Sequence, residues 1–204
     1  MLKLFYAPNT CALASRIALE EAGAEYEIAR VNFAENQQRS ADYLRINPKG
    51  RVPALVTEKG ILPETPAILA YVAQTFPQAN LAALDDPYEF ARLQAFNSYI
   101  ASTVHVNHAH GRRGTRWANE QSSLDDMKAK VAETMAASMR LIELDFFEGP
   151  WVMGEQYTIA DGYLYTVAGW LKGDGVDIDD LPIIKDHYER MSARPAVQRA
   201  LAES

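Results

Sequence analysis

The single cysteine, Cys11, lies directly after a predicted strand and in the first turn of a predicted helix. The free N–H groups and the positive dipole end of such a turn favour thiolate over thiol, which suits a reactive cysteine. The alternative is a small apolar side chain in the core, which is what most lone cysteines are. Ala14 stands where the second cysteine of a Cys-x-x-Cys pair would be, so no resolving thiol is present for dithiol redox chemistry.

A proline opens another predicted strand at Val52-Pro53. Because proline cannot donate a hydrogen bond to a sheet, it marks a strand start or a bulge. X-Pro is also the common setting for a cis peptide, which would turn the backbone groups of Val52 outward, toward the Cys11 end of the sheet. Those groups would then pair with an extended peptide ligand as an added strand does. An ordinary edge-strand proline is the alternative.

Glu64-Thr65-Pro66 opens a further predicted helix. The exposed N–H groups of this helix start and the Thr65 hydroxyl suit a carboxylate, and Glu64 suits an amino group. A γ-glutamyl group carries both charges, so the two side chains fit such a ligand. From the residues alone, plain helix capping is the preferred interpretation.

Two patterns follow each other along the chain. Before about residue 78, strands and helices alternate: strands are predicted over 2–6, 26–33, 52–57 and 60–62, and helices after Cys11, over 40–46 and from 64 to 76. The helix between the first two strands makes them parallel neighbours joined by a right-handed crossover. Asn9 or Thr10 offers the oxygen that caps the first helix. Residues 78–86 have little periodicity and are the predicted linker.

From residue 87 onward the pattern is helical. Ser122 or Ser123 is predicted to cap a long helix. Thr158 and Asp161 have the spacing of a capping box and open another helix, predicted to run to about Lys172. The predicted fold class is therefore an α/β half followed by an all-α half.

Composition limits the classes of function. Hydrophobic residues make up 48% of the 204 residues and charged residues 23%, as in ordinary globular proteins. The formal net charge of -7 argues against nucleic acid as the main partner. No apolar run approaches the ~20 residues that span a bilayer, and the N-terminal residues lack a signal-peptide pattern. These features predict a cytoplasmic protein without a membrane or nucleic-acid partner.

Three segments carry a family resemblance: residues 6–11, 47–55 and 62–68. Together they resemble the glutathione-site motifs of cytosolic glutathione transferases, above all those of the bacterial beta class, which has cysteine at the place of Cys11. Residues 157–161 are similar to the capping box in the helical domain of that family. The resemblance, which runs along nearly the whole chain, implies a thioredoxin-like glutathione-binding domain over 1–77 and an all-helical substrate-binding domain over 87–204.

The resemblance also implies roles for single residues. Cys11 would face the glutathione sulfur and His105 would approach glutathione, so both are catalytic candidates. Arg51 replaces the usual glutamine and would reach the glycyl carboxylate. The implied glutathione-binding residues are Tyr6, Thr10, Arg51, Val52, Pro53, Glu64 and Thr65.

Several positions depart from the beta-class pattern. Glu35, Asn36 and Gln37 stand where that class has a lysine after the second strand, and Val106 replaces the lysine after the histidine. Thr65 replaces a serine but keeps the hydroxyl. The class within the family and the way the glycyl carboxylate is held are therefore left open.

The segment from His105 to Trp117 is rich in histidine and arginine. His105 and His108 share a helical face, as metal ligands do, but the sequence offers no third ligand nearby and no metal is predicted. The arginines either attract an anionic second substrate or complement the dipole of a solvated helix end. Trp170 either lines an apolar pocket or belongs to the core. The candidates for binding the second substrate are His108, Arg112, Arg116 and Trp170.

The predicted function is that of a glutathione transferase acting in detoxification. The enzyme would lower the pKa of the glutathione thiol and transfer the thiolate to a small electrophile, with glutathione as co-substrate and no further cofactor. One alternative is a glutathione-dependent disulfide reductase or thiol transferase that works through a mixed disulfide with Cys11. Another is a non-catalytic binding protein that keeps the fold. The family resemblance also implies a homodimer.

Overall fold

The computed structural model describes residues 1–202. The strands within this range are β1 (Leu2–Tyr6), β2 (Tyr26–Arg30), β3 (Ala54–Thr57) and β4 (Gly60–Pro63). The α-helices are α1 (Ala12–Glu21), α2 (Ala41–Ile46), α3 (Thr65–Thr75), α4 (Pro87–Tyr99), α5 (His105–Arg113), α6 (Gln121–Leu141), α7 (Ile159–Ala168), α8 (Pro182–Ser192) and α9 (Pro195–Ala202). Two π-helical segments, Ile100–Val104 and Ile142–Phe146, follow α4 and α6 directly.

Packing divides the described chain into two units. The first unit contains residues 1–94 and the segment that begins at residue 192, and the second contains residues 95–191. The limit at residue 94 lies inside α4, and α9 belongs to the first unit. The predicted division into domains 1–77 and 87–204, with a linker over 78–86, differs from this grouping and stays a prediction about domain boundaries.

The first unit is built on a mixed sheet with strand order β2-β1-β3-β4. β1 and β2 are parallel, with Leu4 opposite Ile28, which confirms the predicted pairing of the first two strands. β3 is antiparallel to β1 and to β4, with Ala54 opposite both Phe5 and Pro63. The residues that follow β1, precede β3 and follow β4 therefore come together at one end of the sheet.

Helices α1 and α3 bury the apolar side chains that their sequence spacing predicts. Ile17 of α1 and Ile68 of α3 are both 0% exposed, and α1 packs on α3 and on α9. A bidentate ion pair precedes α9: Arg194 donates from Nε to one carboxylate oxygen of Glu21 at 2.6 Å and from Nη2 to the other at 2.9 Å. The C-terminal helix is thus attached to the first helix by both apolar contact and charge.

The second unit is helical, as predicted. Its core contains Phe96, Met135 and Tyr163, which are at most 1% exposed, and α5 packs along α6. At the start of α7 the Thr158 hydroxyl accepts a hydrogen bond from Ala160 N–H at 3.3 Å, and the Asp161 carboxylate accepts one from Thr158 N–H at 2.7 Å. The predicted capping box is confirmed.

The limits of some elements differ from the predictions. Cys11 is the N-cap of α1 rather than a residue of its first turn. The N-cap of α6 is Glu120, which makes no side-chain capping bond, so the prediction that Ser122 or Ser123 caps this helix is wrong. The cause is that the helix extends back to Gln121 and takes both serines into its first turn.

Two further elements end earlier than predicted. β2 stops at Arg30 rather than at residue 33, because Val31 N–H bonds to Tyr6 O at the end of β1 and the sheet ladder ends there. α7 stops at Ala168 instead of reaching Lys172, which belongs to a 3-10 turn, Leu171–Asp174. Within residues 1–202 no helix combines the length and the apolar character that crossing a membrane requires.

Candidate functional site

Cys11 lies at the sheet end where the first unit gathers its predicted site residues. It is 8% exposed, and its thiol donates to the carbonyl oxygen of Val52 across 3.6 Å. The Thr10 hydroxyl accepts from Ala12 N–H at 3.3 Å and donates to Ala7 O at 2.7 Å. Thr10, rather than Asn9, therefore supplies the capping oxygen. The proton of the Thr10 hydroxyl is donated within the turn that precedes Cys11.

The Val52–Pro53 peptide bond is cis, so the cis interpretation of this motif is confirmed. Val52 is 7% exposed, and only Pro53 stands between it and the start of β3. Within residues 1–202, no backbone or side-chain group accepts a hydrogen bond from Val52 N–H. This peptide group is therefore available to an extended ligand at the same edge as Cys11.

Glu64 has an unusual backbone conformation, with φ 73° and ψ 124°, directly before α3. A residue with a Cβ is strained at this positive φ, and such strain is concentrated at functional sites. The Glu64 side chain makes no capping bond to α3, which argues against plain capping by this residue. Its carboxylate instead contacts Lys49 Nζ at 2.5 Å, on the protein surface. Thr65 follows as the first residue of α3 and is 4% exposed.

The two remaining glutathione-site candidates differ in exposure. Tyr6, the last residue of β1, is 2% exposed, and the Arg16 guanidinium lies 5.4 Å from the centre of its ring. Its phenol ring thus belongs to the core of the unit. The Arg51 side chain is exposed just before Val52. Arg51 is thus accessible from solvent, and the binding roles of Arg51 and Tyr6 both stay predictions.

In the second unit, two of the three histidines of α5, His105 and His108, form a cluster with Trp170. The His108 ring is stacked on Trp170 with ring centres 4.3 Å apart, and the His105 ring lies 5.1 Å from the same indole. His108 Nδ1 lies 2.8 and 2.9 Å from the two carboxylate oxygens of Asp174. A carboxylate only accepts hydrogen bonds, so Nδ1 carries a proton and Nε2 faces away from Asp174.

Asp174 and Lys49 contact predicted site residues, His108 and Glu64, but were not themselves predicted from the sequence. The sequence did contain a signal for Asp174. It follows the candidate Trp170 by four residues, a spacing that places two side chains on the same side of a helix. Lys49 lies inside the motif that resembles the glutathione site, but nothing in its spacing indicates Glu64 as its partner. Among residues 1–202, no group of three or more histidine, cysteine, aspartate or glutamate side chains is arranged to hold a metal ion.

The arginines of the histidine-rich segment are at its exposed end. Arg112 lies in the last turn of α5, and Arg116 lies in the 3-10 turn that follows it. Both side chains are exposed. Basic residues there complement the helix dipole, and their exposure leaves them accessible to an anion.

The fold and site define a class of protein: a thioredoxin-like unit with a thiol at the start of its first helix, followed by a helical unit. A family model described as the glutathione S-transferase N-terminal domain matches residues 1–74. The corresponding C-terminal domain model matches residues 93–195. The chain belongs to the glutathione S-transferase family.

Individual relatives match the chain along almost its whole length. Glutathione S-transferase GstA of Escherichia coli O157:H7 is 30% identical over 98% of this chain and 98% of its own. A glutathione transferase homologue from Sulfitobacter, solved with bound glutathione, is 48% identical with a TM-score of 0.96, covering 100% of this chain and 98% of its own. A bacterial beta class glutathione S-transferase from Sphingomonas chungbukensis is 30% identical with a TM-score of 0.86, covering 98% of each chain.

Proposed function

We propose that the protein is a glutathione transferase that binds glutathione at the end of the sheet in its first unit and transfers the thiolate to a small electrophile. The observation that carries the proposal is the convergence of three features at this end: the Cys11 thiol, the unpaired Val52 N–H and the strained Glu64-Thr65 helix start. The named function of the relatives, and the glutathione bound to one of them, support the same ligand.

Each part of glutathione has a chemically matched group at this end of the sheet. The Val52 N–H suits the backbone of the cysteinyl residue, as in strand addition. The N–H groups at the start of α3 and the Thr65 hydroxyl suit the γ-glutamyl carboxylate. Glu64 suits the γ-glutamyl amino group, which would share or replace the contact with Lys49. The exposed Arg51 guanidinium suits the glycyl carboxylate.

The start of α1 would supply the electrostatic part of catalysis. The positive end of the α1 dipole would stabilise a thiolate near the N-cap, which lowers the pKa of a bound thiol and raises the fraction of nucleophile. In conjugation, the glutathione sulfur forms the new bond to carbon while the leaving group departs with its electron pair. The second substrate would lie in the helical unit, for which His108, Arg112, Arg116 and Trp170 are the candidates, while His105 is the catalytic candidate of that unit.

Thiol transfer is the second candidate, because the residue at the N-cap of α1 is itself a cysteine. The Cys11 thiolate would attack the glutathione sulfur of a mixed disulfide between glutathione and a substrate thiol, forming a Cys11–glutathione disulfide and releasing the substrate thiolate. A free glutathione thiolate would then attack the glutathione sulfur of this intermediate, regenerating the Cys11 thiolate and leaving glutathione disulfide. The absence of a second cysteine in the chain requires this monothiol route.

Intact-mass measurement after incubation with oxidised glutathione tests the role of Cys11, with Cys11→Ser as the matched variant. A single glutathionyl adduct that is absent from Cys11→Ser supports a reactive thiol at a glutathione site. Turnover of an aryl halide and of a mixed disulfide by both proteins then separates conjugation from thiol transfer. If the wild-type protein neither binds glutathione nor turns over either substrate, the proposed function is refuted and the non-catalytic alternative takes its place.

The assembly, cellular role and location belong to the same proposal. The family membership supports a homodimer, and sedimentation at low concentration that gives only the 22.7 kDa chain would contradict it. A role in detoxification and a cytoplasmic location are part of the proposal because they fit the proposed reaction and the family to which the chain belongs. Fractionation of the cells that produce the protein tests the location.

A further inference from the structure

The carbonyl oxygen of Arg51 is held by two buried side chains. Tyr43 donates to it from its hydroxyl at 2.7 Å, and Asn47 donates from its side-chain amide, also at 2.7 Å. Tyr43 lies on α2 and is 4% exposed, while Asn47 is the C-cap of α2 and is 1% exposed. Since a loop carbonyl ordinarily bonds to water or to one backbone donor, two buried side-chain donors on this one oxygen need an explanation.

The geometry of the peptide group links this oxygen to the candidate ligand site. The Arg51–Val52 bond is trans. In a trans peptide the C=O of one residue and the N–H of the next are coplanar and point in opposite directions. Two donors that fix the Arg51 oxygen therefore also fix the direction of Val52 N–H, and this N–H has no acceptor within residues 1–202.

We propose that Tyr43 and Asn47 are positioning residues for glutathione: they hold the Arg51–Val52 peptide plane so that Val52 N–H points at the backbone of the ligand. This inference rests on the proposed function and adds to it two residues that do not touch the ligand. Preorganisation of this kind strengthens binding because the loop does not have to be ordered when the ligand arrives.

The two positioning side chains are themselves fixed by their surroundings. The Phe5 ring of β1 contacts the Tyr43 ring edge to face, with centres 5.5 Å apart. The Ser40 hydroxyl caps α2 by accepting from Tyr43 N–H at 3.1 Å. The Asn47 side-chain oxygen accepts from Lys49 N–H at 3.2 Å, which fixes the amide orientation that donates to Arg51. A chain of contacts thus runs from the sheet through α2 to the peptide that presents Val52 N–H.

The test uses Tyr43→Phe, which removes the donor and keeps the ring, and the double variant Tyr43→Phe/Asn47→Ala. The matched control is Tyr188→Phe, which removes the hydroxyl of a tyrosine in the second unit that stacks on Tyr165. Calorimetry gives the Kd for glutathione, and NMR follows the Val52 amide proton during the titration. Thermal unfolding checks that each variant is folded.

Loss of one hydrogen bond in the Tyr43→Phe variant is expected to weaken glutathione binding about fivefold. The double variant is expected to weaken binding by more than about 20-fold. In the wild-type protein, saturating glutathione should shift the Val52 amide proton downfield. This shift should be smaller in Tyr43→Phe and smallest in the double variant. At saturating glutathione, kcat should stay within about twofold of the wild-type value while KM for glutathione rises. The reason is that the lost contact stabilises bound glutathione equally in the ground state and in the transition state. Tyr188→Phe should leave Kd, KM and the Val52 shift unchanged.

Three results overturn the inference while leaving the proposed function intact. The first is wild-type affinity in both positioning variants, and the second is a Val52 amide proton that does not respond to saturating glutathione in the wild-type protein. The third is an equal loss of affinity in Tyr188→Phe, which would make the effect a general one of removing a half-buried hydroxyl. Failure of the wild-type protein to bind glutathione at all would instead refute the proposed function.

Discussion

The buried Asp161 carboxylate has four polar contacts in the second unit, and replacing it tests how that unit is held together. Asp161 is 0% exposed. One oxygen accepts from Val152 N–H at 2.8 Å and lies 3.1 Å from His187 Nε2. The other accepts from Thr158 N–H at 2.7 Å and lies 3.2 Å from the Thr158 hydroxyl. The carboxylate thus joins the start of α7 to the preceding loop and to α8.

The substitution Asp161→Asn keeps the shape but replaces one acceptor oxygen with a donor. At least one buried N–H then faces another donor, and the charge that strengthens the remaining bonds is gone. Leaving a buried donor unsatisfied costs about 1–3 kcal/mol. Breaking a buried charged arrangement by removing one partner costs about 3–5 kcal/mol. We therefore expect the free energy of unfolding of the second unit to fall by about 3–5 kcal/mol.

Tryptophan fluorescence during urea unfolding measures this change, because all three tryptophans lie in the second unit. The matched control is Asp177→Ala, since Asp177 is an exposed capping aspartate that accepts from Asp179 N–H at 3.0 Å. Loss of this exposed cap should cost no more than about 1 kcal/mol. A change below about 1.5 kcal/mol for Asp161→Asn, within the range of an ordinary cap, would show that the buried carboxylate does not hold the second unit together.

Two further predictions concern the tautomer of His108 and the pKa values of two tyrosines. In neutral His108, Asp174 should hold the proton on Nδ1, so nitrogen NMR of Asp174→Asn should show a changed balance of the two tautomers; an unchanged spectrum would argue that the carboxylate does not control the ring. Burial raises the pKa of Tyr43 from 10.0 to about 12, and burial together with Tyr165 raises that of Tyr188 to about 12. The folded state therefore favours the neutral phenols, so their contribution to stability is complete below pH 10 and is lost as the pH rises to about 12. Between pH 10 and about pH 12, the free energy of unfolding should decline less steeply in Tyr43→Phe and in Tyr188→Phe than in the wild-type protein. Equal slopes in a variant and the wild-type protein would contradict the raised pKa of that tyrosine.

The order of elements was predictable because its signals are local. A short apolar run predicts β1, and a helical spacing of apolar residues between two strands predicts the parallel pair of β1 and β2. The capping box of Thr158 and Asp161 is likewise a short-range pattern, because each residue bonds to the backbone of the other. Helix ends were less predictable: Ser122 and Ser123 have good capping chemistry, yet the helix begins before them.

In the candidate site too, the single residues have local sequence signals, whereas their convergence depends on the sheet. Cys11, Val52 and Glu64 became candidates from the sequence because each stands next to the start or end of a predicted element, where ligands are often bound. Their convergence depends on the sheet pairing of Ala54 with Phe5 and Pro63. The antiparallel direction of β3 is a property of the sheet, so it brings the three motifs to one end in a way that no single motif predicts.

The amino-acid sequence by itself determined the α/β unit, the helical unit and the motifs that carry the family resemblance, since these depend on residues close together in the chain. Only the tertiary structure decided which distant groups meet. Asp174 is 66 residues from His108, and Arg194 is 173 residues from Glu21. Tyr43 and Asn47 reach the Arg51 oxygen only because the loop after α2 turns back on the helix. Such contacts are set by loop closure and side-chain packing, for which the sequence carries no periodic signal.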